Sequence, residues 1–452
     1  MMETLNLCPT SIFAAIIALS LVTSARDGLA EPAAAPAESL TVRECIGRAR
    51  QRAPEPRIAT AERDAAIWDS TATFRNRRAA LSFQGGATVA PANFYDPALT
   101  NLGDYALKLR ADAPLIDGGT RSRGRQRSAL VAGESRVSLE QAGRDAGIRA
   151  GALAIEWLRL TEAESAQRHS VEWLEHLARV IESGVRSGMR GRADALRATL
   201  ERDAAAAELE LTRRDRATVA RELGRQLGNG EAPPPAVREE SDAELNPPVE
   251  SDSLALVGAL GKAPEVRLAD LGRAEGRLDL EAAKRSSALQ VNIAADAGLA
   301  GTDLTHVVPP NLRYLHPDAT LGDRLRRDLG ASLSLEFHMP LLDRSAANTV
   351  SARAAASRAQ DLRWSTESEA QRRLGLELLA RWRSAAARYA AALDVTTRAG
   401  EHLLRLESLH AAGSATLLEL LDARRALDDA SGRLRDARAE TLGARLEAET
   451  RR

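Results

Sequence analysis

The chain has 452 residues with 62 basic and 63 acidic side chains, so its formal net charge is −1. This balance argues against a nucleic-acid-binding protein, which normally carries a strong excess of Lys and Arg. Aromatic residues make up only 3% of the chain and charged residues 28%, while Ala, Leu and Arg dominate. Such a composition favours long helices with solvated faces.

The N-terminal segment is predicted to be a secretory signal. Ser11–Val22 is an apolar run. Small residues that fit a cleavage site follow it at Thr23–Ala25 and again at Gly28 and Ala30. We therefore expect residues 1–25 to be removed, with cleavage after Ala25 or as late as Ala30. No Lys or Arg precedes the apolar run, so a buried helix or a membrane anchor is the alternative. Removal would leave Cys45 as the single cysteine, and the fold would need no disulfide.

No later segment is predicted to cross a membrane as a helix. The longest uncharged run beyond residue 25 is Ala79–Tyr95, 17 residues, and it contains Gly85, Gly86 and Pro91. A transmembrane helix needs about 20 mostly apolar residues. Any membrane crossing by the mature chain is therefore expected to use strands.

The sequence contains two similar halves. Motifs of the first half recur in the second at an offset of 210 residues near the start and about 225 residues further along. This predicts two tandem helix-and-strand repeats, residues 31–228 and 254–447, joined by a Pro-rich acidic linker at 229–253. The change in offset predicts an insertion after the first strand of the second repeat. The matching motifs are Ala53–Ala59 with Ala263–Ala269, Pro114–Asp117 with Pro340–Asp343, Trp157 with Trp382, and Gly188 with Gly413.

Four segments alternate between apolar and polar residues, as strands with two different faces do. In the last of them Leu333, Leu335 and Phe337 alternate with Ser334 and Glu336. A soluble hairpin with one solvated face is the alternative to a membrane strand. The predicted strands are Leu81–Ala90, Tyr105–Leu115, Ala288–Leu299 and Gly330–Leu341, with loops at Pro91–Asp104 and Gly301–Asp328.

Two proline-free stretches, from Asp117 to Ser187 and from Asp343 to Ala412, predict very long helices. About 70 residues at 1.5 Å each would extend roughly 105 Å. Gly188 and Gly413 follow these stretches, and Gly with positive φ is favoured just past a helix end. Downstream of Gly413, apolar and small residues recur at spacings of three and four, the seam of a left-handed coiled coil. The seam residues are Leu420, Ala423, Leu427, Ala430, Leu434, Ala437 and Thr441.

Several motifs in this order resemble the TolC-type outer-membrane efflux proteins over about Leu40 to Leu446. The match departs in two places, because Asp343 is not followed by a glycine pair and Ala415 stands where several members carry a basic residue. The resembling motifs are the opening helix at Leu40–Ile46 with Ala53–Glu55, the strand-to-helix junctions at Pro114–Gly119 and Pro340–Asp343, and the hairpin tips at Ser187–Ala198 and Ala412–Ala423.

The resemblance implies a mainly α fold with a membrane β-barrel portion. In that family three chains each give four strands to one barrel in the outer membrane, and long antiparallel coiled-coil hairpins form a periplasmic tunnel. The implied partners are two further copies of the chain, outer-membrane lipid, a periplasmic adaptor protein and an inner-membrane pump. The number of predicted strands independently supports a barrel shared between chains. Four strands cannot close a barrel, for which about eight are needed.

The resemblance also implies roles for single residues. Leu333, Leu335 and Phe337 would face lipid. The tips at Gly188, Asp194 and Gly413 would contact the adaptor. Glu419 and Asp422 match acidic positions that line the periplasmic mouth of the tunnel, so threefold symmetry would collect six carboxylates there, and repulsion would raise some of their pKa values. Two solvated acids on one helix are the alternative.

The sequence contains no G-x-S-x-G motif of a hydrolase, no G-x-x-x-x-G-K-[ST] nucleotide-binding loop and no C-x-x-C site. His169 and His176 lie seven residues apart, which is not the spacing of a metal-binding pair. We therefore expect no enzymatic activity, metal site or cofactor. The alternative function is a periplasmic coiled-coil scaffold, which would leave the alternating strands unexplained.

Overall fold

The computed structural model describes residues 39–75, 80–89, 103–230, 236–238, 255, 257–302, 320–339 and 345–451. The predicted signal, most of the linker and most of both strand loops lie outside the described residues. The helices are α1 (Val42–Arg52), α2 (Pro54–Arg75), α3 (Thr120–Arg186), α4 (Arg192–Gln226), α5 (Pro264–Lys284), α6 (Leu321–Asp328), α7 (Ala346–Ala411) and α8 (Leu417–Arg451); the strands are β1 (Ala80–Val89), β2 (Gly103–Asp117), β3 (Gln290–Thr302) and β4 (Leu329–His338).

The start of the chain's first helix is fixed by a capping box. The Thr41 hydroxyl accepts a hydrogen bond from the Glu44 backbone N–H at 3.2 Å, and the Glu44 carboxylate accepts one from the Thr41 N–H at 2.7 Å. Leu40, just before this cap, pairs in parallel with Val237. Val237 of the predicted linker therefore lies beside the start of α1.

An apolar cluster packs α1 against the middle of α3 and the end of α4. Cys45 and Ala49 are fully buried there, together with Ala154 and Leu223. Burial raises the pKa of the Cys45 thiol to about 11, because the thiolate would lose its hydration. This cysteine is therefore protonated at neutral pH and unreactive, since the thiolate is the nucleophile.

The two proline-free stretches form helices of the predicted length. Helix α3 has 67 residues and α7 has 66, and each packs against a partner of 35 residues, α4 and α8 respectively. At 1.5 Å per residue the longer helices span about 100 Å. None of the helices within the described ranges carries an apolar stretch long enough to span a bilayer.

The predicted seam of α8 is confirmed in its burial. Five of its seven positions are buried, and Leu427 and Leu434 are half-buried. Small Ala side chains at alternate positions let α8 lie close to its neighbours. The buried members are Leu420, Ala423, Ala430, Ala437 and Thr441.

The four strands form one antiparallel sheet in the order β1-β2-β3-β4. All four predicted strands are present, with ends that differ by one to three residues. The expectation that Gly301–Asp328 is a loop is wrong for its last eight residues, which form α6. A capping box between Thr320 and Asp323 starts this helix, and its spacing is a signal that the sequence contains.

Gly298 in β3 lies where the backbone of β2 approaches too closely to admit a side chain. It lies opposite Lys108 of β2 and Gly330 of β4. A Cβ at Gly298 would press on the Leu107 carbonyl oxygen and lie 2.6 Å from the Lys108 Cα, whereas a Cβ at Gly330 would meet nothing within 4 Å. The position therefore requires glycine because of space.

We expect Gly298→Ala to lower the thermal stability of the purified protein, because the two strands must move apart to admit the methyl group. Overpacking of this kind typically costs about 1–3 kcal/mol. Gly330→Ala, directly opposite in the same sheet, is the matched control and should melt like the unchanged chain. Equal melting temperatures for the two variants would contradict the assignment.

Candidate functional site

One face of the sheet is apolar across all four strands. The register aligns Leu333 of β4 with Ala295 of β3, which in turn pairs with Ala111 of β2 and through it with Leu81 of β1. Leu333, Leu335 and Phe337 are 71%, 50% and 68% exposed. The same face also carries Phe83, Leu107, Leu109, Ala113, Ile293, Ala297, Leu299 and Ala331.

The opposite face is polar and charged. Arg110 of β2 lies opposite Asp296 of β3, and Asn292 of β3 lies opposite Glu336 of β4. The Arg110 guanidinium contacts the Asp112 carboxylate at 2.9 Å and reaches across β3 to within 3.6 Å of Glu336. Charged groups at this density need water or one another, so this face is suited to an aqueous surface.

The junction between β2 and α3 explains one recurring motif. Gly118 and Gly119 have φ of 58° and 82°, and the Asp117 carboxylate accepts hydrogen bonds from the backbone N–H groups of Gly119 and Arg121. The aspartate therefore caps the start of α3. The matching motif at 340–343 lies outside the described residues.

At the far end of the long helices, each hairpin turns at a glycine with positive φ, as predicted. Gly188 and Gly413 have φ of 75° and 76°. In both turns the glycine N–H and the next residue's N–H bond back to carbonyls of the helix end, the Schellman pattern. A Cβ at either glycine would meet nothing within 4 Å, so glycine is favoured there by backbone conformation alone.

The two tips, defined here as residues 187–191 and 412–416, lie next to each other. Below them an apolar cluster including Ile181 and Leu417 joins the hairpins. Trp173 of α3 donates a hydrogen bond to Glu407 of α7 at 2.9 Å. Arg190 of the first tip lies 3.0 Å from a ring nitrogen of His410, near the end of α7. The sequence gives no sign of this pair, because nothing local connects residues 220 positions apart.

Glu419 begins α8 as part of a capping box. Its carboxylate accepts hydrogen bonds from the Thr416 backbone N–H and hydroxyl, both at 2.8 Å, and the Thr416 hydroxyl accepts one from the Glu419 N–H. The backbone hydrogen bond from Thr416, followed by that from its hydroxyl, lowers the pKa of Glu419. Within one chain the pKa of Glu419 is therefore lowered, whereas repulsion in a ring of six carboxylates would raise it. The T-x-x-E spacing is the signal that could have identified this cap.

The other predicted tip acids have different surroundings. Asp422 is exposed, and its nearest cation is Arg425 at 4.0 Å. Asp194, at the position in α4 that matches Glu419, follows the N-cap residue Gly191, which offers no side-chain cap. The second helix of one hairpin, α8, therefore starts with a side-chain capping box, whereas the second helix of the other, α4, has no side-chain cap.

Within the part of the chain that the structure describes, no group of three or more His, Cys, Asp or Glu side chains is placed to hold a metal ion.

No protein-family model matches the sequence, and no curated protein matches it. Solved structures do match its fold. The outer-membrane protein VceC of Vibrio cholerae has a TM-score of 0.71 at 15% identity, covering 90% of this chain and 94% of VceC. The CmeC outer-membrane channel of Campylobacter jejuni gives 0.70 at 11% identity, covering 90% and 84%.

The open state of the MtrE outer-membrane channel of Neisseria gonorrhoeae gives 0.70 at 16% identity, covering 90% of this chain and 88% of MtrE. The chain has the fold of these outer-membrane proteins. Identities this low establish the fold alone. The helix-and-strand architecture that the TolC-type resemblance implies is thereby confirmed.

Proposed function

We propose that the chain is one subunit of a homotrimeric exit duct in the outer membrane of a Gram-negative bacterium. The duct passively conducts substrates from an inner-membrane pump and a periplasmic adaptor to the exterior, by efflux or type I secretion. The observation that carries this proposal is the sheet, with one exposed apolar face and one charged face, at the end of helices about 100 Å long.

The sheet supports a barrel shared between chains. The described sheet has two open edges, β1 and β4, and four strands are too few to close a barrel. Three copies supply twelve strands, pair every edge and turn the apolar face outward to lipid. The face carrying Arg110, Asp296 and Glu336 then lines a water-filled lumen, as in other outer-membrane barrels.

The tips support docking to an adaptor. They lie at the ends of α3 and α7 opposite the sheet, so in this arrangement they face the inner membrane. Met189 in the first tip is 80% exposed and Leu196 just beyond it is 62% exposed, and Leu418 is exposed beside the second tip. We assign Gly188, Asp194 and Gly413 to this docking surface, because the glycine turns set the shape that a partner meets.

Arginine at Leu335 should sharply reduce assembly, whereas arginine at the neighbouring Ser334 should not. Leu335 lies on the apolar face, where a charge at mid-bilayer costs about 2–4 kcal/mol, and Ser334 lies on the polar face. The measurement is the yield of heat-modifiable trimers in purified outer membranes. Equal yields would remove the membrane-strand assignment, and recovery of the unchanged chain in the soluble periplasmic fraction would favour the scaffold function.

Gly188→Val and Gly413→Val should abolish adaptor capture while leaving trimer yield intact, because a side chain at positive φ costs about 1–2 kcal/mol and alters the turn. Capture is measured with a photo-crosslinking residue at Met189, which is 80% exposed. Gly443→Val is the control, since Gly443 lies within α8 and a Cβ there meets nothing within 4 Å. Normal capture and export by both tip variants would exclude the docking role.

We further propose that Glu419 and Asp422 form the acidic aperture of the tunnel. Three copies would gather six carboxylates, which attract cations and bind divalent ions. Glu419→Gln with Asp422→Asn keeps an oxygen acceptor for Thr416 but removes the charges, so single-channel recordings should show reduced cation selectivity and weaker divalent block. Asp194→Asn is the matched control. Unchanged selectivity and block in the double variant would show that these residues are not the aperture.

A further inference from the structure

The two hairpin tips are joined through the imidazole ring of His410, which has a partner on each side. Its Nδ1 lies 2.9 Å from the carbonyl oxygen of Ala415 in its own tip. Its Nε2 lies 3.0 Å from the Nη2 of Arg190 in the other tip. One ring therefore connects the end of α7, the turn into α8 and the turn between α3 and α4.

These partners determine the protonation state of the ring. A carbonyl oxygen can only accept, so Nδ1 must carry a proton and donate to Ala415. A guanidinium can only donate, so Nε2 must be unprotonated and accept from Arg190. The contact between the tips thus requires neutral His410 in the Nδ1–H tautomer.

The position of Arg190 is built into the first tip. The backbone N–H groups of Met189 and Arg190 both bond to the Gly184 carbonyl, at 2.8 and 3.1 Å. The arginine stem crosses Gly184 so closely that a Cβ there would lie 2.6 Å from the Arg190 Cγ. The guanidinium is therefore directed at His410 by the turn itself.

Other charged groups stand on the elements that meet here. They include Glu182 and Arg186 on α3, Arg192, Asp194 and Arg197 on α4, Arg405 and Glu407 on α7, and Glu419 and Asp422 on α8. Among the described residues, none of them has a hydrogen bond or ion pair with the His410 ring, since Glu407 bonds Trp173 and Glu419 bonds Thr416. The imidazole therefore has no carboxylate partner to offset the charge of Arg190 when it gains a proton.

We propose that His410 is a pH-sensitive switch between the tips, joined in its neutral form and released on protonation. An added proton at Nε2 removes the acceptor and sets an imidazolium against the guanidinium of Arg190. The connection therefore requires the neutral ring and is lost when the ring gains a proton as the pH falls. The apolar cluster below the tips does not titrate, so the release is confined to the turns. The switch belongs to a single chain and does not depend on the duct function; in a duct it would change the surface offered to an adaptor in an acidified periplasm.

The test is the distance between the tips at different pH. Spin labels at Met189→Cys and Ser414→Cys, both exposed positions, report this distance by double electron–electron resonance in the full chain. Labelled chain is diluted into excess unlabelled chain, so that only pairs within one chain are read. Cys8 is replaced by Ser in all variants, and buried Cys45 stays unlabelled. We expect a narrow distribution at pH 8 and a broader one at longer distance at pH 5.5.

Three variants make the result specific. His410→Gln is neutral at every pH and should show the narrow distribution at both pH values, while Arg190→Leu should show the broad one at both. His402→Gln, two turns earlier on the same helix, should respond to pH like the unchanged chain. The proposal is overturned if the unchanged chain gives the same distribution at both pH values, or if His410→Gln responds to pH as the unchanged chain does.

Discussion

The pairing of β2 with β3 joins the two halves of the chain, because β1 and β2 come from the first half and β3 and β4 from the second. This register sets Leu109 opposite Ala297 and Arg110 opposite Asp296. A slip of one residue would bring apolar side chains onto the charged face and charged ones onto the apolar face. Gly298 lies within this pairing, at a point where the strands approach too closely for a Cβ. The two faces, and with them the positions of the helices that follow each strand pair, depend on this alignment.

In the single chain, the described sheet has an exposed apolar face and two edge strands without a hydrogen-bonding neighbour. Its apolar face is exposed, and each apolar side chain on it would gain roughly 25 cal/mol per Å² of surface removed from water. The outer edges of β1 and β4 are open in the described sheet, and open edges favour pairing with another chain. A barrel made from several copies in a bilayer covers this face and pairs both edges at once. This is why the sheet carries the functional proposal and the long helices only support it.

The two hairpins share a backbone design but differ in the chemistry of their tips. Gly188 and Gly413 adopt nearly the same φ, and both turns use the same hydrogen-bond pattern. The helix after the second turn is capped by Thr416 and Glu419, whereas Gly191 provides no side-chain cap in the first. Likewise the imidazole of the connecting pair comes from the end of α7, just before the second tip, and the guanidinium comes from the first tip. The two halves of the chain therefore share the backbone geometry of their turns, and the tip regions differ in the side chains that cap the next helix and that form the connecting pair.

The sequence alone determined the features that are local. Proline-free stretches set the lengths of α3 and α7, strict alternation located the four strands, and glycines marked both turns with positive φ. These predictions hold because helix and strand periodicity depend on neighbouring residues. The same local rules could have identified the caps at Thr320 and Thr416, where the spacing of a capping box was overlooked.

Only the tertiary structure decided which distant residues meet. The sequence contained the alternation of β2 and β3 but not the register that aligns their faces. It contained His410 and Arg190 but no sign that they touch, since they are 220 residues apart. A contact between side chains so distant in sequence produces no recognisable residue pattern in either segment. It arises because two helices of more than 60 residues end side by side, and small differences in length or packing along them would separate the tips.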